Sequence, residues 1–429
     1  MQQRSPVQIA QLCGSVASAL VGGMVAAYAV AESRVDDFTF SDDGLTSVVI
    51  TPQWAGATAA VAAAVGVALL QRWALLRWAR GGLATVFAAA GALAIALPAF
   101  VPVSAQISVT LNAIGAGAFL AAAAYPTKSH RAAQIALALG VTATTLYFGA
   151  ADLWRDRVAR WSLTLPGDTH PVPSTVPVWI LLAATLLVGV VAAVARPNQK
   201  PGDIDTRLVT LGVVLPLAFT ALYVSLGSTS TSPESWVTAV AIAVAVTVAL
   251  AWRLSPHDGR FILVGLAVSA VSVSTTHFSS DWTWAMPAGA AALALGVVVG
   301  WKRPMPQLGL GLLGVTALSG LSDNPLTTVS YVVVLPLALG LAVTSCLTVA
   351  VGAVSSGAVL PVTLTLFSVS ATFLEAAAQE FGWSNGPLVE HGPVSVNTPI
   401  PLAVLAATAT IVVGMVTIHM KRVRPAVVT

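Results

Sequence analysis

Apolar residues run through this chain in stretches of about 15 to 25, and all twenty Lys and Arg residues fall in or at the edge of the gaps between them. A bilayer core about 30 Å thick needs roughly 20 apolar residues as helix, with a working range of about 17 to 25. That length rule predicts spans over 7–31, 54–71, 82–102, 105–124, 132–151, 177–195, 208–226, 236–252, 261–276, 284–300, 307–321, 326–350, 357–378 and 399–419. The expected fold class is therefore all-α: a polytopic integral membrane helix bundle of about fourteen transmembrane helices with both termini cytoplasmic. Twelve is the alternative count.

Two stretches decide between the counts. The run 307–321 is short and carries Gly309, Gly311, Gly314 and Gly320, the composition of a re-entrant or broken element, which is tolerated where protein buries it. The stretch 326–378 is too long for one crossing at about 1.5 Å per residue, and Gly352 to Gly357 is the expected fold-back.

The cations fix the orientation. Alternate threading puts sixteen of the twenty Lys and Arg on one side (Arg4; Arg72, Arg77, Arg80; Lys128, Arg131; Arg196, Lys200, Arg207; Arg253, Arg260; Lys302, Arg303; Lys421, Arg422, Arg424). The other side keeps Arg34, Arg155, Arg157 and Arg160 and collects fourteen of the seventeen acids, all but Asp203, Asp205 and Asp258. Sixteen cations against three acids is +13; four against fourteen is −10. This is the positive-inside pattern across a whole chain. The expected partners are membrane lipids, with anionic headgroups at the cytoplasmic face, and protein partners in an envelope or secretion complex; nucleic acid is not expected. All twelve Trp fall at span ends or in adjacent loops, as a residue with an apolar ring and one N–H donor should.

Composition agrees. With 56% hydrophobic and 9% charged residues, the chain lacks the polar surface of a water-soluble domain. It is expected to be one multi-pass domain over 1–429, without a soluble domain, in the inner (plasma) membrane. The Ala-, Val-, Gly- and Arg-rich usage is that of a GC-rich bacterium. The longer extracytoplasmic segments are 32–53, 152–175 and 379–398. In the second, Trp154, Val158, Trp161 and Leu165 share a helical face, the pattern of an amphipathic surface helix. Cys13 and Cys346 both lie in apolar runs, so no disulfide framework is expected.

Chemistry is sparse, and a polar side chain in hydrocarbon is the flag to look for. Ser368, Thr372, Glu375 and Gln379 recur at helical spacing in the outer half of one span, a polar stripe in which Glu375 would bind a proton or a cationic group. Asn112 sits near the middle of the fourth span as a candidate substrate contact, or as an amide bonding a neighbouring helix. Hydroxyls such as Thr142 are expected to bond back to their own helices. Gly14, Ser18, Gly22 and Ala26, and likewise Ala292, Gly296 and Gly300, repeat every four residues as close-packing seams. The string Val-Val-Leu-Pro-Leu-Ala occurs at Val213 to Ala218 and at Val333 to Ala338, with Pro98 in a similar setting.

Asp36, Asp37, Asp42 and Asp43 place four acids in the first outer loop. In position and charge this loop resembles that of membrane glycosyltransferases using polyprenyl-phosphate sugars, which implies an acidic catalytic loop. The topology, with a long outer loop before the last helix, resembles the fourteen-helix branch of the major facilitator superfamily. The loop Gln71 to Gly82 holds Arg72, Arg77 and Arg80 where that superfamily carries a Gly/Asp/Arg/Gly motif, but its acid is missing and its glycines are displaced. No phosphate-binding loop, metal spacing or nucleophilic triad is present, so no cofactor, metal or catalytic residue is expected.

The functional expectation is a transporter or flippase-like permease for a hydrophobic or amphiphilic substrate (a lipid, glycolipid or drug), secondary-active in mechanism. A non-catalytic subunit of a secretion or envelope assembly and the polyprenyl-phosphate-dependent transferase are the alternatives. The topology predicts that Arg77→Cys is labelled by a membrane-impermeant thiol reagent only from the cytoplasmic side, and Asp168→Cys only from outside. Labelling of both from one side would contradict the alternate threading, and labelling of each from the opposite side would reverse the orientation.

Overall fold

The computed structural model describes residues 6–31, 52–72, 80–101, 103–151, 176–194, 212–218, 220–222, 233–253, 256–275, 284–319, 329–346 and 411–416. Among them every regular element is helical. The helices are α1 (Pro6–Ala31), α2 (Pro52–Arg72), α3 (Arg80–Ala96), α4 (Ala105–Ala124), α5 (Arg131–Ala151), α6 (Val178–Val194), α7 (Pro233–Arg253), α8 (Pro256–Thr275), α9 (Ala285–Lys302), α10 (Pro306–Ser319) and α11 (Leu335–Cys346). A shorter apolar helix runs over Gly212–Leu222. The chain is an all-α membrane helix bundle. The segments expected to be extracytoplasmic and the fold-back expected at Gly352 to Gly357 lie outside the described residues, apart from the first turn of α2.

The apolar runs set these lengths. Gln8–Val30, Gly81–Ala99 and Ile107–Thr127 are long and apolar enough to cross a membrane. Span 105–124 coincides with α4, and 132–151 with α5 to within one residue. The glycine-rich run is not broken where it is described: α10 is continuous for 14 residues through Gly309, Gly311 and Gly314. Proline leaves its mark twice. Pro98 has no N–H to continue α3, which tightens into a 3₁₀ turn over Leu97–Ala99, and the Leu97 carbonyl accepts from both Phe100 and Val101 at 3.0 Å. Pro336 deprives the Val332 carbonyl of its partner. The ladder widens there to a π turn over Ser330–Val334, with Leu335 N–H donating to the Ser330 carbonyl.

What faces outward is apolar. On α6, Trp179, Leu182, Leu186, Val190 and Val194 form one stripe at three- and four-residue spacing, each more than half exposed. In water such a stripe would be an aggregation surface; against acyl chains it is the expected exterior.

The chain divides into two compact units, Met1–Thr220 with Val349–Ser368, and Ala221–Thr348 with Val369–Thr429. In the first, α1 packs on α5, α4 and α6, while α4 packs on α2 and α3. Its core is mostly alanine, with Phe119, Leu120, Ile95 and Leu137 as the large buried side chains. In the second, α11 packs on α9 and α10, and α8 packs on α7 and α10.

Backbone meets backbone at the centre of each unit. A Cβ on Gly23 of α1 would lie 2.7 Å from the Leu137 carbonyl oxygen and 3.1 Å from the Val141 nitrogen, and one on Gly140 of α5 would meet the Leu20 carbonyl and the Met24 nitrogen. The α9/α11 crossing repeats this signature. A Cβ on Gly296 would strike the Leu337 carbonyl and lie 3.0 Å from the Leu341 nitrogen, and one on Gly340 would lie 3.0 Å from the Val297 nitrogen. In each of the four cases the added carbon meets the carbonyl three residues before the partner glycine and the amide one residue after it. Side-chain-free crossings of this kind let helices approach closely enough for backbone contacts.

Gly296→Val should therefore lower the thermal unfolding midpoint of the purified protein, with overpacking costing about 1–3 kcal/mol. Gly82, where an added Cβ meets nothing within 4 Å, should accept alanine without loss. Equal melting of both variants would contradict the close crossing.

Candidate functional site

Of the candidate substrate-, proton-binding and acidic-loop residues, Asn112 is the one the structure describes. It lies in α4 and is 2% exposed. Its Oδ1 accepts no hydrogen bond. The outward face of α4 belongs instead to Ile107 and Ile114, both about half exposed, so Asn112 points into the first unit rather than away from it. Ser108, one turn earlier, is also buried. Ser104 caps the helix, its hydroxyl accepting from Ile107 N–H at 3.5 Å.

The position of Asn112 follows from the α3/α4 crossing. A Cβ on Gly115 would lie 2.6 Å from the Gly91 carbonyl oxygen, 2.9 Å from Ile95 Cγ1 and 3.0 Å from Ala94 Cβ, while one on Gly91 would lie 2.8 Å from the Phe119 nitrogen. Residue numbers fall on one helix as they rise on the other, so the pair is antiparallel. One turn beyond Gly115, Asn112 is level with the 3₁₀ turn at Pro98.

Four buried threonines bond back to their own helices, as their sequence positions imply. Thr142 donates to the Ala138 carbonyl at 2.7 Å, Thr220 to Pro216 at 3.0 Å, Thr247 to Ala243 at 2.7 Å and Thr316 to Leu313 at 2.6 Å. A hydroxyl so engaged has no proton left to offer a ligand. Ser18, on the close-packing seam of α1, is fully buried and its Oγ is unpartnered. The seam itself is present: Gly22 faces Ala123 and Val188, and Gly14 faces Val191.

Ser368, Thr372, Glu375 and Gln379 lie outside the described residues, as do Asp36, Asp37, Asp42 and Asp43. Among the described residues no group of three or more His, Cys, Asp or Glu is placed to hold a metal.

One buried cation escaped the sequence reading. Arg260, assigned there to an inner loop, is 6% exposed and is the fifth residue of α8, within electrostatic reach of Cys346 on α11. The signal was present. Pro256 is a favoured first helical residue, and starting the helix there carries Arg260 past the loop. Nearby, the α9–α10 turn is tied to α11: Met305 N–H donates to Ser345 Oγ at 3.1 Å, and Gly300 packs against Leu341, Thr344 and Ser345. The exposed Lys302 and Arg303 flank this tie.

No protein-family model matches the chain, and no curated protein matches it by sequence. Among solved structures it is similar to a peptide transporter POT crystallised with alafosfalin, at 14% identity and a TM-score of 0.46, covering 94% of each chain. It is also similar to tetrameric PepTSo2, at 13% identity and a TM-score of 0.45, covering 96% of this chain and 99% of that one. Overlap at this level assigns neither mechanism nor substrate.

Ser345→Ala should cost about 1 kcal/mol, the worth of one such bond, read as a lower unfolding midpoint. No change would show that Met305 N–H is satisfied without it.

Proposed function

We propose that the chain is a secondary-active membrane transporter, a flippase-like permease for a hydrophobic or amphiphilic substrate such as a lipid, glycolipid or drug. The observation that carries this reading is the neutrality of the described interior. Apart from Arg260, the buried polar side chains are hydroxyls and amides, including Ser15, Ser18, Ser108, Asn112, Gln134 and Thr142. Interiors built from Ala, Gly, Val and hydroxyl side chains favour a substrate with little charge to compensate. The division into two compact units of apolar helices supports a moving machine over a passive anchor. In the same reading Glu375, with Thr372, Ser368 and Gln379 on its face, takes the coupling proton, and anionic lipid headgroups lie against the cationic inner loops.

Nothing among the described residues favours the transferase or the assembly-subunit reading. The test is reconstitution in proteoliposomes with an imposed pH gradient. Fluorescent lipid or hydrophobic dye should move faster than in protein-free vesicles, and Glu375→Gln should remove the dependence on the gradient. Folded protein that moves neither probe would contradict the proposal.

A further inference from the structure

We infer that Asn112, Ser108 and the proline-broken end of α3 form a binding site in the first unit for a single small monovalent cation of the sodium type. The buried Asn112 Oδ1 is an acceptor without a donor. Across from it, Pro98 has no N–H, so the Ala94 carbonyl lacks the donor that an uninterrupted helix would supply four residues on. Helix carbonyls point toward the C-terminus, and the antiparallel register that sets Ala94 against Gly115 brings this oxygen within one turn of Asn112. Ser108, buried one turn from Asn112, adds a hydroxyl oxygen on the same face.

The surroundings decide what such a cluster of oxygens takes. Along the chain on either side of the site, Arg80 is sixteen residues before the end of α3 and Lys128 is sixteen residues beyond Asn112, each about 24 Å at helical rise. Neither of these two cations reaches the oxygens. The C-terminal end of α3 adds the negative pole of its helix dipole. Broken helix ends with freed carbonyls are the usual membrane device for binding such ions. The described residues of this unit contain no Asp or Glu, so among them a divalent ion lacks the carboxylate ligands it requires. At 2% exposure Asn112 is closed off from solvent, which excludes a substrate headgroup.

The test is thermal unfolding of the purified protein in sodium, potassium or choline chloride at equal ionic strength, with radioactive sodium binding alongside. Sodium should raise the midpoint saturably over choline. Asn112→Leu should weaken the response at least about tenfold, as removal of one ligand implies. Asn112→Asp keeps the oxygen, adds charge and should tighten binding, and it carries the test if the leucine variant does not fold. Identical melting of the wild type in sodium and choline would overturn the inference and leave a water as the occupant. A full sodium response in Asn112→Leu, or unchanged affinity in Asn112→Asp, would overturn it too. These readouts need no transport, so they stand apart from the proposed function.

Discussion

Lipid tails are as apolar as Leu or Val, so helices inside a bilayer gain little by hiding those side chains from their solvent. What remains is contact, and contact improves as backbones approach. The reciprocal crossings at Gly23 and Gly140 and at Gly296 and Gly340 are therefore the constraint on which each unit depends. Alanine-rich surfaces around them extend the same close approach along α1, α4 and α5. The bulky apolar side chains of α6 face outward, where in a soluble protein they would form the core.

This inversion explains how much could be read from the sequence. Span lengths were legible because hydrocarbon thickness imposes them on every helix separately: α4 and α5 fall where the apolar runs put them. The seam of Gly14, Ser18 and Gly22 was legible as a four-residue repeat, since spacing along one helix is a one-dimensional property. Its partners were not. That Gly22 meets Ala123, or that Gly23 docks on Gly140, depends on the register between helices, which no periodicity encodes. Arg260 was misplaced because hydropathy marks where a run becomes apolar, while a helix can begin earlier, here at Pro256. The recurring Leu-Pro motif also hid a difference, for Pro336 follows a π turn whereas Pro98 sits in a 3₁₀ turn.

The candidate chemistry follows the same physics. Burying a hydroxyl is tolerable when it can bond to its own helix, as Thr142 and Thr247 do. An amide oxygen near a broken helix end has no such outlet, and this sets Asn112 apart from the threonines of neighbouring helices. Its residue type and depth were visible in the sequence. The orphaned state of its oxygen was not, because that depends on where α3 ends beside it.

Backbone contact at the paired glycines holds each unit together, and a double-mutant cycle on Gly23→Ala and Gly140→Ala in thermal unfolding measures it. If the two glycines share one crossing, the first alanine forces α1 and α5 apart and the second costs much less, giving a coupling of about 0.5–3 kcal/mol. Costs that simply add would mean that the two helices do not meet there.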